Sequence, residues 1–404
     1  MKSKKPLKGM QDVLPKEAIL RRNVQNKIID TFIKNGFFEI STPALDSLDL
    51  LASSQGGDNE KIMFNVLKRG EKLDLENAKT IKDISDMGLR FDLTLPLSRF
   101  YANNMNDLPS PFKVFQIGNV WRGERPQRGR FRQFIQCDID IMGDATITSE
   151  LSLIKTVSDA LINVGFDNIE IKINNRILVN ELLEKNNFTS FSDEVMIILD
   201  KLDKISFEDA CGEVEAKGLS VENFKKLYNQ IKELEAINLD QLPTVFDSEV
   251  VRDFVTLIKT LNNNNYNLVY DPTLIRGMGY YTGTIFEVKD NDLGLSIAGG
   301  GRYDKLVGKI IGMDVPACGF SIGFERIIVL LLQKSKHLDN EDKMAILIDT
   351  KYDNYNKILE YVEDIQNSGR IVSMIAMKKN VKKQIADLEE LGYNEFKMSR
   401  EFEN

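Results

Sequence analysis

Residues 135–141 read Ile-Gln-Cys-Asp-Ile-Asp-Ile. Strict alternation of this kind specifies a β-strand, with Ile135, Cys137, Ile139 and Ile141 on one face and Gln136, Asp138 and Asp140 on the other. A fold that holds this strand sets one face of a sheet against a core. It also has to accommodate two carboxylates and an amide on the opposite face. Alternation alone leaves that polar face either a solvated surface or a wall of a site. Segments 89–95, 112–117 and 131–142 all read as strands, and Asp92 and Thr94 share a face in the same way. Segment 37–40 reads as a strand closed by Thr42-Pro43. A helix is expected over 16–35, because Ile19, Leu20, Val24, Ile28, Ile29, Phe32 and Ile33 fall on one stripe and Gly36 stops it.

The chain has 404 residues, enough for two or three domains. Segment 53–88 is polar and Gly-rich, the pattern of a loop with a hairpin. From about 170 to 265 the character changes to Asn, Lys, Glu and Leu with helical spacing, which predicts a mostly helical insertion. Strand signals return at 268–270 and 280–288. Gly299-Gly300-Gly301 is either a plain turn or a place of close backbone approach. Segment 319–332 starts with small residues and runs into an apolar helix. After a linker at 334–343, strand, helix, strand and helix patterns follow at 344–348, 354–367, 371–377 and 379–391. Such alternation predicts a small α/β domain with parallel pairing. The expected division is 1–169 and 266–334 as one core, 170–265 as the insertion, and 343–404 as the C-terminal domain.

Several function classes are excluded early. The net charge of −8 argues against a basic mat over the whole surface, though a local basic patch is still allowed. Cys137, Cys211 and Cys318 form no CxxC pair, so a zinc ribbon or disulfide framework has no support. The single histidine, His337, removes any His/His metal site and argues against a Ser–His or Cys–His nucleophile. The basic N-terminus lacks the apolar stretch of a signal peptide. The apolar run 327–332 is far shorter than a membrane span. Together these point to a cytoplasmic protein.

The densest chemical signal is segment 121–132, with Arg122, Arg125, Arg128, Arg130 and Arg132 inside an acidic chain. Guanidinium forks suit phosphate oxygens, although a solvated basic hairpin has the same composition. Three more strings accompany it: Leu89-Arg90-Phe91-Asp92-Leu93-Thr94, Ile275-Arg276-Gly277-Met278-Gly279-Tyr280-Tyr281, and Gly319-Phe320-Ser321-Ile322-Gly323-Phe324-Glu325-Arg326.

With Arg122-x-Glu124 and Pro43, these strings resemble the class II aminoacyl-tRNA synthetase motifs, and in particular the histidyl-tRNA synthetase family. The Arg-Gly-x-x-Tyr-Tyr string at 276–281 resembles a motif peculiar to that family. Lys8-Gly9-Met10-Gln11-Asp12 and 199–204 also resemble family segments. The resemblance covers about 6–334. It implies an α+β fold, an antiparallel sheet with flanking helices, a homodimer with Pro43 at its interface, and no prosthetic group.

It also implies ATP-dependent activation of L-histidine and transfer of the histidyl group to the 3′ end of tRNA(His). ATP would arrive as its Mg²⁺ complex, with no metal ligand assigned among the protein side chains. Arg122 and Arg276 would be catalytic, flanking the α-phosphate and the histidine carboxylate. Glu124, Arg130 and Arg326 would bind ATP with Arg122. Asp92, Thr94 and Gln136 would hold the α-amino group. Asp140 and Tyr281 would meet the imidazole, with Tyr280 lining the pocket and Tyr303 as a wall. Without Arg276 beside them, the tyrosines read as ordinary strand aromatics. Arg125 and Gln127 would lie in the loop that approaches the tRNA acceptor end.

The sequence departs from the family twice. Gly279 stands where the family string has Asp. The C-terminal domain is expected to be shorter than the family's, without the last helix and strand of that domain. Lys378, Lys379, Lys382 and Lys383 there are either a tRNA-facing patch or a solvated helix face. Two rivals follow from the same resemblance. One is a catalytically inactive paralogue serving as the regulatory subunit of ATP phosphoribosyltransferase. The other is an enzyme that adenylates a free amino acid without tRNA.

Overall fold

The structure, a computed structural model, describes residues 4–52, 62–126, 129–202, 204–275, 280–292, 294–334, 342–349, 351 and 355–402. The chain forms two compact units, residues 1–11 with 26–330, and residues 12–25 with 331–404. The strands of the first unit are β1 (Phe38–Glu39), β2 (Leu45–Ser47), β3 (Phe64–Leu67), β4 (Ser85–Leu89), β5 (Phe112–Trp121), β6 (Gln133–Met142), β7 (Ile169–Asn175), β8 (Leu268–Tyr270), β9 (Thr284–Asp290), β10 (Leu295–Arg302) and β11 (Ala317–Ile322). Eight of them form one sheet in the order β1-β5-β6-β11-β10-β9-β7-β8, and β2-β4-β3 form a small separate sheet. In the large sheet β1 runs parallel to β5 and β7 to β8, and the remaining ladders are antiparallel.

The strand with the strict alternation, β6, lies inside this sheet between β5 and β11. Its apolar face behaves as the pattern requires, with Cys137 and Ile139 fully buried. Its polar face is not solvated: Asp138 and Asp140 are each only 4% exposed. On that side a core of Leu95, Leu97, Phe112, Val114, Tyr303 and Ala317 closes around the sheet. Burying carboxylates without enough partners is unfavourable, so their placement marks a site rather than a surface.

Three local expectations change, and one open alternative closes. Segment 89–95 is not a strand throughout. β4 ends at Leu89 and a helix occupies Thr94–Asn104. Asp92 Oδ1 accepts the Leu95 N–H at 3.1 Å, closing the first helical turn; Pro96 suits that turn because its missing N–H would have had no helical partner there. Residues 170–175, read as the start of the helical insertion, belong to β7 and pair with β8 and β9. The helices Arg176–Lys185, Ser192–Leu199, Phe207–Ala216, Val221–Glu235 and Val250–Asn263 follow it. Gly299-Gly300-Gly301 is no turn, since all three glycines lie within β10. The ladder of β9 starts only at Thr284, which leaves Tyr280 and Tyr281 ahead of it.

The helix Pro15–Lys34 matches its stripe at Ile28 and Phe32, both fully buried, while Ile33 is exposed. In the second unit β12 (Lys343–Ile348) lies between β13 (Ile371–Ala376) and β14 (Tyr393–Met398), with parallel pairing on both sides. Met344 and Ile346 pack on Ile358 and Val362 of one helix, Ala345 and Leu347 on Leu388 of another. Both faces of β12 are thus covered, as its unbroken apolar run implies.

Candidate active site

A cavity of about 330 Å³ opens over the polar face of β6. Its floor follows from register. Asp138 lies across from Ser321 of β11, and Ser321 across from Gly299 of β10; Asp140 lies across from Gly319, and Gly319 across from Gly301. The glycines keep that floor open. A Cβ on Gly319 would sit 2.0 Å from Asp140 Oδ1, and one on Gly301 would sit 2.5 Å from the Thr284 carbonyl and 3.0 Å from the Tyr281 ring.

Acids gather at one end. Asp92, Asp138 and Asp140 all line the cavity. Burial pushes the Asp138 carboxyl up to about 7; the Ser321 hydroxyl opposes the shift and the Asp92 charge reinforces it. Asp140 is raised well above the ordinary carboxylate value by burial and by the charge of Asp138, despite a 2.5 Å hydrogen bond donated by the Tyr303 hydroxyl. Asp92 is raised by burial, against the Leu95 N–H and the Arg122 charge. Tyr280 stacks edge-on to Tyr281 at 4.8 Å and to Tyr303 at 6.2 Å, making an aromatic wall.

Cations gather at the other. Arg326 donates from Nη1 to the Ser296 carbonyl at 2.5 Å, and both burial and the charge of Arg130 lower its pKa. Two arginines that repel each other across a cavity are placed to share an anion. Arg122 stands close enough to Asp92 and Asp138 to affect both titrations. Its Nε donates to the Phe91 carbonyl at 3.0 Å, and its guanidinium lies over the Phe134 ring at 5.1 Å. The side chain is therefore held at two points. Glu124 and Arg130 line the cavity from exposed positions.

The structure thus brings Asp92, Thr94, Arg122, Glu124, Arg130, Gln136, Asp140, Tyr280, Tyr281, Tyr303 and Arg326 onto one cavity. Arg125 is exposed in the same loop and is not among the lining residues. Arg276, Gly279, Gln127 and His337 lie outside the described residues. Among the described residues no cluster of three His, Cys, Asp or Glu side chains is arranged to hold a metal ion. No helix among them is long and apolar enough to cross a membrane.

Sequence reasoning missed three supporting side chains. Asp138 was visible in the alternation but received no role. Glu325 is 5% exposed and accepts the Ile135 N–H at 3.2 Å, tying the helix Phe324–Gln333 to β6. Arg90 is buried and donates to the carbonyls of Thr42 at 2.6 Å and Asn119 at 2.9 Å. It lies so close over Gly118 that a Cβ there would meet it at 2.4 Å. Nothing in a linear string distinguishes such an arginine from one that faces a phosphate.

An antiparallel-rich sheet carrying these motifs around one polar cavity is the catalytic architecture of a class II aminoacyl-tRNA synthetase. The family model described as histidyl-tRNA synthetase matches residues 9–327. The histidine–tRNA ligase of Leifsonia xyli subsp. xyli is 38% identical, with 97% of this chain and 94% of that protein aligned. The crystal structure of histidyl-tRNA synthetase from Nostoc sp. PCC 7120 superimposes with a TM-score of 0.78 at 26% identity, covering 96% of this chain and 90% of that one. A Bacillus halodurans structure titled as an ATP phosphoribosyltransferase regulatory subunit/histidyl-tRNA synthetase shares the fold at the same TM-score of 0.78, at 20% identity and with 98% of each chain covered. The chain belongs to the histidyl-tRNA synthetase family.

Proposed function

We propose that this chain is a histidine–tRNA ligase, activating L-histidine with ATP and passing the histidyl group to the 3′ end of tRNA(His). The observation that carries the reading is the division of charge in one cavity, with acids at one end, Arg130 and Arg326 at the other, and Arg122 within reach of the acids. A substrate with an ammonium group, a carboxylate and a polyphosphate fits that order of charges.

In the first step the histidine carboxylate attacks the α-phosphorus of ATP, and pyrophosphate leaves. Charge accumulates on the α-phosphoryl oxygens, so a cation fixed in advance lowers the barrier more than it stabilises the ground state. Arg122 fills that role because its hydrogen bond to Phe91 and its stacking on Phe134 hold it in place. Arg276 is assigned the opposite side of the same phosphate. Arg326 and Arg130 hold the outer phosphates, whose charge the Mg²⁺ accompanying ATP also shares. Glu124 accepts from the adenine amino group.

Asp92, Thr94 and Gln136 take the α-amino group. Asp140, Tyr281, Tyr280 and Tyr303 surround the imidazole, and a site built on such groups rejects isosteres that leave them unpaired. In the second step a terminal ribose hydroxyl of the tRNA attacks the activated carbonyl and AMP leaves. No protein nucleophile is needed. Arg125 and Gln127 are assigned to contact with the tRNA acceptor end.

The same proposal includes a homodimer, supported by the exposed Phe38 at the β1 edge of the sheet. It includes cytoplasmic residence, supported by Cys137, Cys211 and Cys318, none of which forms a disulfide among the described residues. It also includes a core of 1–169 and 266–334 around an insertion, and a C-terminal domain at 343–404. A regulatory paralogue would need no ATP clamp, so Arg122, Glu124, Arg130 and Arg326 on one cavity favour the ligase.

Histidine-dependent ATP–pyrophosphate exchange, run against the other amino acids, tests the reading. Exchange with histidine alone is expected. Histidine binding with no exchange would move the assignment to the regulatory paralogue.

A further inference from the structure

We infer that Asp138 and Ser321 are positioning residues that fix the Gln136 amide for the α-ammonium group of the substrate; this rests on reading the cavity as a histidine site. Register places Ser321 directly across from Asp138, with Gln136 two residues before Asp138 on the same face of β6. The Ser321 hydroxyl donates to Asp138 Oδ1 at 2.5 Å. Gln136 Nε2 donates to Ser321 Oγ at 3.3 Å and reaches the two Asp138 oxygens at 3.4 and 3.3 Å.

In its ionised form, which an approaching ammonium group favours, the Asp138 carboxylate only accepts, and the serine proton is committed to it, so both groups demand the nitrogen end of the amide. The pair therefore selects one of two otherwise nearly equivalent amide orientations. In that orientation Gln136 Oε1 is buried and has no hydrogen-bond donor among the described residues. A buried acceptor without a donor, on a side chain that lines the cavity, calls for one from the ligand. A primary ammonium group supplies it and is drawn to the same place by Asp92, Asp138 and Asp140.

The same geometry distinguishes parts of the ligand. Only the contact with the ammonium group depends on the amide orientation; the imidazole contacts on Asp140 and Tyr281 do not. Titration calorimetry of the full chain with L-histidine, histidinol and imidazolepropionate separates them, since the last lacks the α-amino group. Ser321→Ala is expected to weaken histidine and histidinol about fivefold, leaving imidazolepropionate and ATP binding unchanged. Ser321→Thr, which keeps the hydroxyl, is expected to restore most of the affinity. Asp138→Asn sets an amide against an amide and is expected to weaken histidine more than Ser321→Ala does. Equal losses for histidine and imidazolepropionate, or unchanged histidine affinity in Ser321→Ala, would overturn the inference. Failure of the unsubstituted chain to bind histidine would instead overturn the function on which it rests.

Discussion

Glu150 and Arg302 are as buried as Asp138 and Asp140, at 2% and 8% exposure against 4% each, yet the protein treats the two groups differently. Arg302 meets Glu150 with a two-point fork, Nε to Oε1 at 2.8 Å and Nη2 to Oε2 at 2.6 Å. Its remaining donors reach the carbonyls of Asp144 at 3.1 Å and Thr146 at 3.0 Å. Opposite charges and hydrogen bonds are satisfied from within the chain. The cavity instead collects three acids beside one held arginine, and all three acids are raised. A charge cluster that the chain completes serves the fold. A cluster with surplus acid is set to take a cation from a ligand, and stability is given up to keep it so.

The largest expected effect tests the completed side of this contrast. Glu150→Ala removes the two-point fork from the buried Arg302 charge, leaving it only Asp304 at 3.3 Å as a carboxylate partner, and should destabilise the chain by about 3–5 kcal/mol. Urea denaturation measures this, and a midpoint close to that of the unsubstituted chain would refute the structural role. Arg122→Ala should do the reverse. It should cost about 3 kcal/mol of transition-state stabilisation in pyrophosphate exchange with little change in the urea midpoint. Near-normal exchange would remove Arg122 from catalysis.

Gly319→Ala forces a Cβ to within 2.0 Å of Asp140 Oδ1 and 3.0 Å of the Tyr303 ring. It should raise KM for histidine about tenfold, roughly 1.4 kcal/mol, with KM for ATP unmoved. Equal rises in both would mean that the floor collapses as a whole.

The acid cluster also makes stability depend on pH. Asp138 titrates at about 7 in the fold against 3.8 ordinarily. Between those values the native state holds a proton that the unfolded chain has released, so stability falls as pH rises through this window. Raised Asp92 and Asp140 act in the same direction. In the unliganded chain Asp138→Asn should make that decline shallower by at least about 1 kcal/mol. An identical slope in denaturation from pH 4 to 7 would show that the acid cluster carries no such strain.

Much of the site could be read before any fold was known, for uneven reasons. Alternation at 135–141 placed Gln136, Asp138 and Asp140 on one face, because strand geometry depends only on local spacing. It left open whether that face was wet, since burial depends on the helix Thr94–Asn104 and on β10 and β11 packing around it. The strand expected over 89–95 failed because Asp92 caps a helix, a use of the carboxylate that competes with alternation. Gly299–Gly301 allowed either a turn or a close backbone approach, because glycine permits both. Their actual work is to keep side chains off a strand that floors the cavity.

The sequence by itself determined the alternation of β6, the apolar run of β12, the small parallel domain and the order of the synthetase motifs. Each of these is written in neighbouring residues. Only the tertiary structure decided which arginines face the cavity and which, like Arg90 and Arg302, tie the scaffold, because all present the same side chain to a reader of the string. It also decided that Asp138, Ser321 and Gln136 form one network. Their register joins residues nearly two hundred positions apart in the chain, and no local pattern encodes a cross-strand partner at that distance.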